Sequence, residues 1–308
     1  MVAQYSDVIV AGHFAIDRIS LSSRSSPFTV LGGSATYVAL TAKRLGAKVS
    51  IISHVGKDFP EAYLWWLREE GINLSNVTKL DNEQTTSFEL IYNGNLENRS
   101  MRLRNRASPL KLSDIPDSRI ARFVHIAPIA GEISYRVVNK LKKCAEFSSL
   151  DPQGLLRRFD KSGKVTPRPL DNKNLLNFIK IYKSSSDEIM ALAGTSNINS
   201  AIDILHDFGV KIVMVTLGAK GALLSVEKTL YDIPAYVPRI CVDPTGAGDA
   251  FMGGFLAEYV RDKDALWCAC VGSAAASLVV EGIGPTFFGE KEEIYQRARY
   301  VYEKEIKT

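Results

Sequence analysis

The segment "SATYVALTAKRLGAKVSIISHVG", residues 34–56, indicates the fold class, because it joins a predicted helix directly to a predicted strand. Ser34 is the predicted N-cap of the helix and Gly46 its stop. The segment 48–56 then reads as a strand. Upstream, the β-branched run at 7–14 predicts another buried strand. The N-terminal sixth of the chain is therefore expected to form a strand–helix–strand unit.

The same alternation continues along the chain. We predict helices at 60–71, 132–147 and 197–209, and strands at 123–129, 178–185 and 211–218. Continuously apolar strands that alternate with helices indicate a mostly parallel sheet covered on both faces. The expected fold class is α/β, with residues 1–308 forming a single domain around a mostly parallel central sheet with helices on both faces.

Two polar excursions interrupt this alternation. Residues 17–33 and 84–108 read as antiparallel strands with polar faces, and Asn93-Gly94 is a hairpin signal. We expect these excursions to form a small β-sheet lid from about 14–31 and 84–108. The polar, proline-containing segment 157–173 is predicted to be a surface loop.

The composition is that of a globular protein with a sizeable core: 308 residues, 46% hydrophobic and 23% charged. The net charge of +4 fits anionic small molecules and does not demand a nucleic-acid partner. Four cysteines do not make a disulfide framework. The chain has no run of 18 uncharged apolar residues and no signal-like start, so we expect a cytoplasmic protein without a membrane partner.

The chemistry is concentrated in "CVDPTGAGDAFMGGFLAEYV", residues 241–260. Gly246, Ala247 and Gly248 are predicted to open a helix whose exposed N–H groups and partial positive charge suit a phosphate. Asp249 would repel that phosphate, so its useful role is to accept a proton from an attacking hydroxyl. A glycine-rich turn with an acid placed favourably for the helix dipole is an equal reading. Residues 253–254 are expected to allow close helix packing.

Three common nucleotide and hydrolase motifs are absent from the sequence. There is no GxxxxGK[ST], no GxGxxG after the first strand and no GxSxG. P-loop, dinucleotide-binding and α/β-hydrolase interpretations are therefore unsupported.

The segment "DPTGAGDAFMGGF" (243–255) resembles the C-terminal signature of the ribokinase-like (PfkB) carbohydrate kinase family. Three further segments are similar to that family, in the family's order: 11–19, 32–59 and 216–224. The resemblance spans most of the chain. It implies a single ribokinase-like domain with a lid that excludes water, and an ATP-dependent kinase that uses Mg²⁺. A monovalent cation is left open.

The resemblance also implies roles for individual residues. Asp249 would deprotonate the acceptor hydroxyl while Gly246, Ala247 and Gly248 hold the phosphoryl group. The implied acceptor-binding residues are Asp17, Gly32, Gly33, Ser34, Gln153 and Arg106. The implied donor-binding residues are Lys183, Glu188, Thr216, Gly218, Gly221 and Gly284. Purely structural interpretations stay open, since Asp17 and Gly32–Gly33 are also typical turn residues.

One departure from the family pattern concerns the metal. Many members carry N-x-x-E after a strand, whereas this chain has Ser185 and Glu188. Serine offers one oxygen but lacks the amide donor. Glu188 is expected to act on Mg²⁺ indirectly, through water, and Lys183 is a candidate phosphate contact.

The acceptor is the least explicit prediction. Segments 125–133 and 150–159 resemble inositol-kinase-like members, so an inositol-like polyol is favoured. The alternatives are a nucleoside, a sugar or sugar phosphate as acceptor, or a non-catalytic regulator that binds a nucleotide or sugar. We expect Arg102 and Arg104 to face outward and Arg106 to reach the cleft. A further hypothesis is a homodimer, in which the apolar face of the lid pairs with a second copy through residues including Phe88, Leu90, Leu96 and Leu103.

Overall fold

The computed structural model describes residues 5–21, 25–92 and 99–304. Its strands are β1 (Ser6–Ala11), β2 (Ala15–Leu21), β3 (Phe28–Gly32), β4 (Val49–Gly56), β5 (Asn73–Leu80), β6 (Ser87–Tyr92), β7 (Arg99–Asn105), β8 (Ala121–Ile126), β9 (Ala145–Leu150), β10 (Arg157–Phe159), β11 (Val165–Pro167), β12 (Ile181–Ser185), β13 (Ile212–Thr216), β14 (Ala222–Val226) and β15 (Thr229–Ile233). Its α-helices are α1 (Ser34–Arg44), α2 (Glu61–Glu69), α3 (Tyr135–Leu141), α4 (Ser186–Ala193), α5 (Ile198–Asp207), α6 (Ala247–Tyr259), α7 (Ala265–Val279) and α8 (Lys291–Glu303).

A nine-stranded sheet forms the centre of the molecule, in the order β15-β14-β13-β12-β9-β8-β1-β4-β5. Its strands are parallel from β13 to β5, and β14 and β15 add an antiparallel edge. One face is covered by α1, α2, α6, α7 and α8, and the other by α3, α4 and α5. This is the predicted α/β architecture. The carboxyl ends of the parallel strands carry the segments that build the site.

Small residues let the helices of one layer approach closely. A Cβ at Gly253 would lie 2.6 Å from the carbonyl oxygen of Val38 in α1. A Cβ at Gly254 would lie 3.0 Å from the Cα of Gly272 in α7. The glycine pair therefore serves the close packing of α6 that the sequence predicts, and this packing fixes the N-terminus of α6 against the sheet.

The two excursions pair in one four-stranded sheet, which we call the lid sheet, in the order β3-β2-β6-β7. β2 runs parallel to β6, whereas the β2–β3 and β6–β7 pairs are antiparallel. One face of the lid sheet is apolar and packs on Ile129, Ala130 and Phe159 of the body. The predicted Asn93-Gly94 hairpin and Leu96 lie outside the described residues.

Four local predictions are corrected by the structure. The helix predicted over 132–147 ends at Leu141, because residues 145–150 pair with β8 and β12 as a central strand. The strand predicted over 178–185 begins only at Ile181, after a 3₁₀ helix at Lys173–Phe178. The predicted loop 157–173 contains the β10–β11 hairpin. The N-cap of α1 is Gly33, and Ser34 is the first helical residue.

The β14–β15 hairpin was not predicted. Its turn residues Glu227 and Lys228 have φ values of 48° and 74°, the two positive values that a type I′ turn requires. Glycine and asparagine normally signal such a turn, and neither is present at these two positions. No helix in the described part of the chain is long and apolar enough to cross a membrane.

Candidate active site

The N-terminus of α6 is shaped by Gly246. Gly246 is the N-cap, with φ +81°, and a Cβ there would lie 2.4 Å from the buried ring of Tyr37. Only glycine meets both conditions without strain. The turn before it is held by Asp243, which accepts hydrogen bonds from the N–H groups of Thr245 (3.0 Å) and Gly284 (3.3 Å). The helix start is therefore rigid.

The first turn of α6 offers backbone donors to an anion. First-turn N–H groups have no partner within their own helix and lie at the positive end of its dipole. Ala247 N–H donates a long bond of 3.3 Å to the carbonyl of Pro244. Gly248 and Asp249 supply the next two N–H groups, at the second and third helical positions. The predicted triplet Gly246, Ala247 and Gly248 thus lies where a phosphoryl group would be held.

Asp249 is half-buried in the first turn of α6. The Nε2 amide of Gln153 donates to its Oδ1 at 3.3 Å, and the Ser34 side chain also hydrogen-bonds it. Burial raises the pKa of Asp249 to about 6; Lys183 opposes this shift and Asp151 adds to it. A carboxylate whose pKa lies just below neutrality is suited to accept a proton.

A buried ion pair lies beside this helix. The Lys183 ammonium is 2.6 Å from Oδ2 of Asp151, and both side chains are almost fully buried. Burial alone would lower the pKa of Lys183, but Asp151 and Asp249 raise it above its ordinary value. A Cβ on Gly248 would lie 2.8 Å from Lys183 Nζ, so the ammonium faces the first turn of α6. Lys183 is thus placed to contact a phosphate held there.

Gln153 connects several parts of the site. It lies in the 3₁₀ helix Gln153–Leu156, and its Nε2 also donates to Ser34 Oγ at 2.7 Å. Its Oε1 accepts from Arg157 Nη2 at 2.6 Å, and Arg157 Nη1 donates to the carbonyl of Ile129 at 2.9 Å. The sequence pointed to Gln153 but missed Arg157. The sequence alone does not distinguish Arg157 from Arg158. The turn that follows Gln153 directs the Arg157 side chain toward Gln153 and Ile129.

The acceptor side is formed by β2 and the turn into α1. Asp17 is buried on β2, and a Cβ at Gly32 would lie 1.9 Å from its Oδ2. Gly33 has φ +87°, and a Cβ there would lie 2.6 Å from the carbonyl oxygen of His13. Because these two residues have no side chain, the Asp17 carboxylate can lie against the backbone of Gly32. The His13 carbonyl oxygen can lie close to Gly33 for the same reason.

Glu132 was not singled out from the sequence. It is fully buried and accepts hydrogen bonds from the N–H groups of His13 (3.0 Å), Ile129 (2.9 Å) and Ala130 (2.7 Å). It ties the segment after β8 to the end of β1. The ring of His13 is stacked on that of His54, with centroids 6.0 Å apart.

The predicted donor residues fall into two groups. Thr216 ends β13 and donates to the Ser184 carbonyl at 3.3 Å, and the next turn holds Gly218, which has open space where a Cβ would be. Gly221 and Gly284 are explained by packing: their Cβ atoms would lie 2.1 Å from the carbonyl oxygen of Ile233 and 2.8 Å from Val30 of the lid sheet. Nucleotide binding by Thr216 and Gly218 stays a prediction.

Glu188 lies at the start of α4. Its Oε2 accepts from the N–H (2.9 Å) and Oγ (2.8 Å) of Ser185, and together they form a capping box. Among the described residues, no group of three or more His, Cys, Asp or Glu side chains could hold a metal ion. The indirect role of Glu188 toward Mg²⁺ stays a prediction.

Arg102 and Arg104 lie on β7 and are exposed, and Arg104 pairs with Glu89. Arg106 follows the end of β7 and is also exposed. Arg106 reaches back to the Ala130 carbonyl, with Nη1 at 3.4 Å.

The apolar face predicted to mediate a homodimer is already covered. Phe88 and Leu90 are only 5% and 2% exposed, because they pack on the body of the same chain. Phe88 and Leu90 are therefore not available to contact a second copy of the chain. A homodimer stays an untested prediction.

The chain is similar to one protein family over most of its length and to kinases of several organisms. The model for "pfkB family carbohydrate kinase" matches residues 6–292. The cytidine kinase of Thermococcus kodakarensis is 30% identical over 284 residues, covering 90% of this chain and 97% of that protein. The inositol 3-kinase of Arabidopsis thaliana is 27% identical, covering 95% of this chain and 80% of that protein.

Solved structures share the fold. The nucleoside kinase of Methanocaldococcus jannaschii superposes with a TM-score of 0.79 at 24% identity, covering 96% of this chain and 99% of the other. A pyrophosphate-dependent kinase in the ribokinase family, complexed with a pyrophosphate analog and myo-inositol, also gives 0.79 at 24% identity, covering 94% and 99%. Taken with the family match, the chain belongs to the pfkB family of carbohydrate kinases, which confirms the ribokinase-like fold and the ATP-dependent kinase class predicted from the sequence.

Proposed function

We propose that this kinase phosphorylates a hydroxyl of an inositol-like polyol, with Asp249 as the base. The observation that carries the proposal is the position of Asp249. Its carboxylate lies in the first turn of α6, hydrogen-bonded by Gln153 and Ser34, next to the backbone donors suited to a phosphoryl group. Base and anion site are thus adjacent, as transfer from a phosphate donor to a hydroxyl requires.

In this proposal each residue has a limited task. Asp249 takes the proton of the acceptor hydroxyl as that oxygen forms a bond to the terminal phosphorus of ATP; the bond from this phosphorus to the bridging oxygen breaks and ADP leaves. The N–H groups at the start of α6 and the Lys183 ammonium stabilise the charge on the phosphoryl oxygens in transfer. Mg²⁺, when bound with ATP, neutralises phosphate charge, and Glu188 would contact it through water. Asp17 accepts hydrogen bonds from the other hydroxyls of the acceptor.

A polyol is favoured by the polar groups around Asp249. Gln153, Ser34 and Arg157 form one hydrogen-bonded chain with Asp249, and the Asp17 carboxylate lies against Gly32 on the acceptor side. A ring that carries a hydroxyl on each carbon satisfies several such groups at once. The inositol 3-kinase of Arabidopsis thaliana, similar over nearly the whole chain, supports this choice.

A nucleoside is the second candidate, and one of the relatives of this chain favours it. The Phe88 and Phe159 rings lie 6.5 Å apart but pack in the apolar face of the lid sheet against the body, so they do not carry this candidate. A ribose offers Asp17 the same neighbouring hydroxyls that a polyol does. The identity of 30% to a cytidine kinase supports this candidate.

The test is ADP release from MgATP with myo-inositol, cytidine, adenosine, ribose and fructose 6-phosphate as separate acceptors. We expect a strong preference for myo-inositol, while a preference for cytidine or adenosine would establish the second candidate. Asp249→Asn should lower kcat by about 10³-fold, within the range of general-base losses, and leave ATP binding unchanged. ATP binding without any turnover on a wider panel would instead favour a nucleotide-binding regulator.

A further inference from the structure

The guanidinium of Arg157 has no assigned task in phosphoryl transfer, yet it lies at the centre of the site. It is half-buried, although it directly precedes the exposed Arg158 on the same short strand. Its two terminal nitrogens donate in different directions, Nη1 to the Ile129 carbonyl and Nη2 to Gln153 Oε1. Its Cζ lies 5.9 Å from the centroid of the Phe88 ring in the lid sheet. It therefore contacts the body, the lid sheet and the Gln153 amide.

The chemistry of the two groups fixes the orientation of the Gln153 amide. A guanidinium has only donors, so the amide oxygen must face Arg157. The Nε2 end then faces Ser34 and Asp249, at 2.7 and 3.3 Å. If the amide turned over, its oxygen would face the Asp249 carboxylate, which has no proton to donate when ionised. The orientation set by Arg157 is thus the one in which Gln153 stabilises ionised Asp249.

The hydrogen bond to Oδ1 also orients the base. The Gln153 amide is bonded to Oδ1 and the Ser34 side chain also bonds the carboxylate, so the carboxylate is held in one orientation at the start of α6. The backbone around Gln153 is also held by hydrogen bonds. The Gln153 N–H donates to Asp151 Oδ1 at 3.3 Å, and the Gly154 N–H donates to the Pro128 carbonyl at 2.7 Å. The backbone is therefore fixed and the side-chain amide is the part that needs a further partner.

We propose that Arg157 is a positioning residue that holds the Gln153 amide so that Gln153 donates to Asp249, favours its ionised form and keeps the carboxylate oriented for the acceptor. This inference rests on the proposed function, because it assigns Arg157 a role in the same transfer. The planar fork is required, since one nitrogen must reach Ile129 while the other reaches Gln153. A lysine would supply the charge without that geometry.

The test compares Arg157→Met with Arg158→Met, its exposed neighbour on β10, on the acceptor that the wild-type protein prefers. We expect Arg157→Met to lower kcat by 10- to 100-fold and to leave KM for ATP within twofold. The acid limb of the kcat/KM profile should move to higher pH, because Asp249 has lost groups that favour its charged form. Arg158→Met should match the wild type. An unshifted limb and a wild-type kcat in Arg157→Met would overturn the inference.

Two further variants separate positioning from charge and from misfolding. Arg157→Lys keeps the charge, so a loss like that of Arg157→Met supports positioning, and a wild-type rate overturns it. The double variant Gln153→Ala, Arg157→Met should be no slower than Gln153→Ala alone, within about twofold, because both act through one contact. If the losses of rate caused by the two single substitutions multiply in the double variant, the inference is wrong. A wild-type protein inactive on every acceptor would instead count against the proposed function.

Discussion

At the scale of single residues, the raised pKa of Asp249 predicts the pH profile. Burial raises this pKa to about 6, and only the ionised carboxylate can accept the proton. kcat/KM should therefore be flat above pH 7 and fall about tenfold per unit below pH 6. ADP release measured between pH 5 and 8.5, with enzyme stability checked at each pH, tests this. A profile that stays flat to pH 5 would contradict Asp249 as the base.

The ion pair of Lys183 and Asp151 makes a prediction about stability. Lys183→Met leaves the buried Asp151 carboxylate without its partner, close to Asp249, and should lower the free energy of unfolding by about 3 kcal/mol. The double variant Asp151→Asn, Lys183→Met removes the stranded charge and should recover part of that loss. Urea unfolding at pH 7.5 measures both. A double variant less stable than Lys183→Met would show that the pair is not coupled in this way.

At this scale, residues that belong to a motif can be predicted from the sequence, whereas residues that act through a contact cannot. Asp249, Gly246 and Gly248 can be predicted, because a phosphate site at a helix N-terminus favours these residue types. Arg157 and Glu132 carry no such pattern; their importance depends on which carbonyls and N–H groups a distant turn brings within 3 Å. Ser34 was predicted to be a cap, but its hydroxyl is used by Gln153 and Asp249 instead.

At the scale of elements, the end of β6 is joined to the turn that precedes α6. Tyr92 Oη lies 2.8 Å from Thr245 Oγ1, and both side chains are buried. Tyr92→Phe should lower the free energy of unfolding by about 1 kcal/mol, because a buried hydroxyl loses its partner. It should also lower kcat/KM for the acceptor several-fold and leave KM for ATP unchanged, since the contact docks the lid sheet.

Tyr300→Phe is the matched control, because it removes a hydroxyl from an exposed side chain on α8. Steady-state kinetics and thermal unfolding of the two variants test the prediction. If Tyr92→Phe raised KM for ATP and left the acceptor unaffected, the contact would serve the donor side instead of lid docking.

Strands and helices were predictable from sequence where local pattern and tertiary pairing agree. The segment from α1 to β4 is such a case. Residues 145–150 are not, because the apparent helical run of 132–147 is cut by pairing with two neighbouring strands. That pairing depends on residues more than twenty positions away, so the local sequence pattern does not indicate it. The β14–β15 turn likewise adopts positive φ values at Glu227 and Lys228 without a glycine to signal it.

At the scale of the whole molecule, the site is divided between the lid sheet and the body. Asp17 lies on β2 of the lid sheet, whereas Asp249 and Lys183 belong to the body. The predicted nucleotide residues Thr216 and Gly218 also belong to the body. An acceptor held between Asp17 and Asp249 would therefore bridge the two parts, whereas ATP held by Thr216 and Gly218 would contact the body alone. The acceptor should thus be the ligand that stabilises the lid sheet in its closed position.

Amide hydrogen exchange distinguishes these two ligands. We expect the acceptor to slow exchange in peptides that cover β2, β3 and β6 by at least tenfold, because local opening of the lid sheet then breaks contacts to the bound hydroxyls. A non-hydrolysable ATP analogue alone should leave those peptides within twofold of the free protein. The β14–β15 hairpin is the internal control, since the acceptor does not bridge it to the lid. Equal protection of the lid sheet by the nucleotide alone would mean that the donor closes the lid and that Asp17 does not bind the acceptor across the cleft.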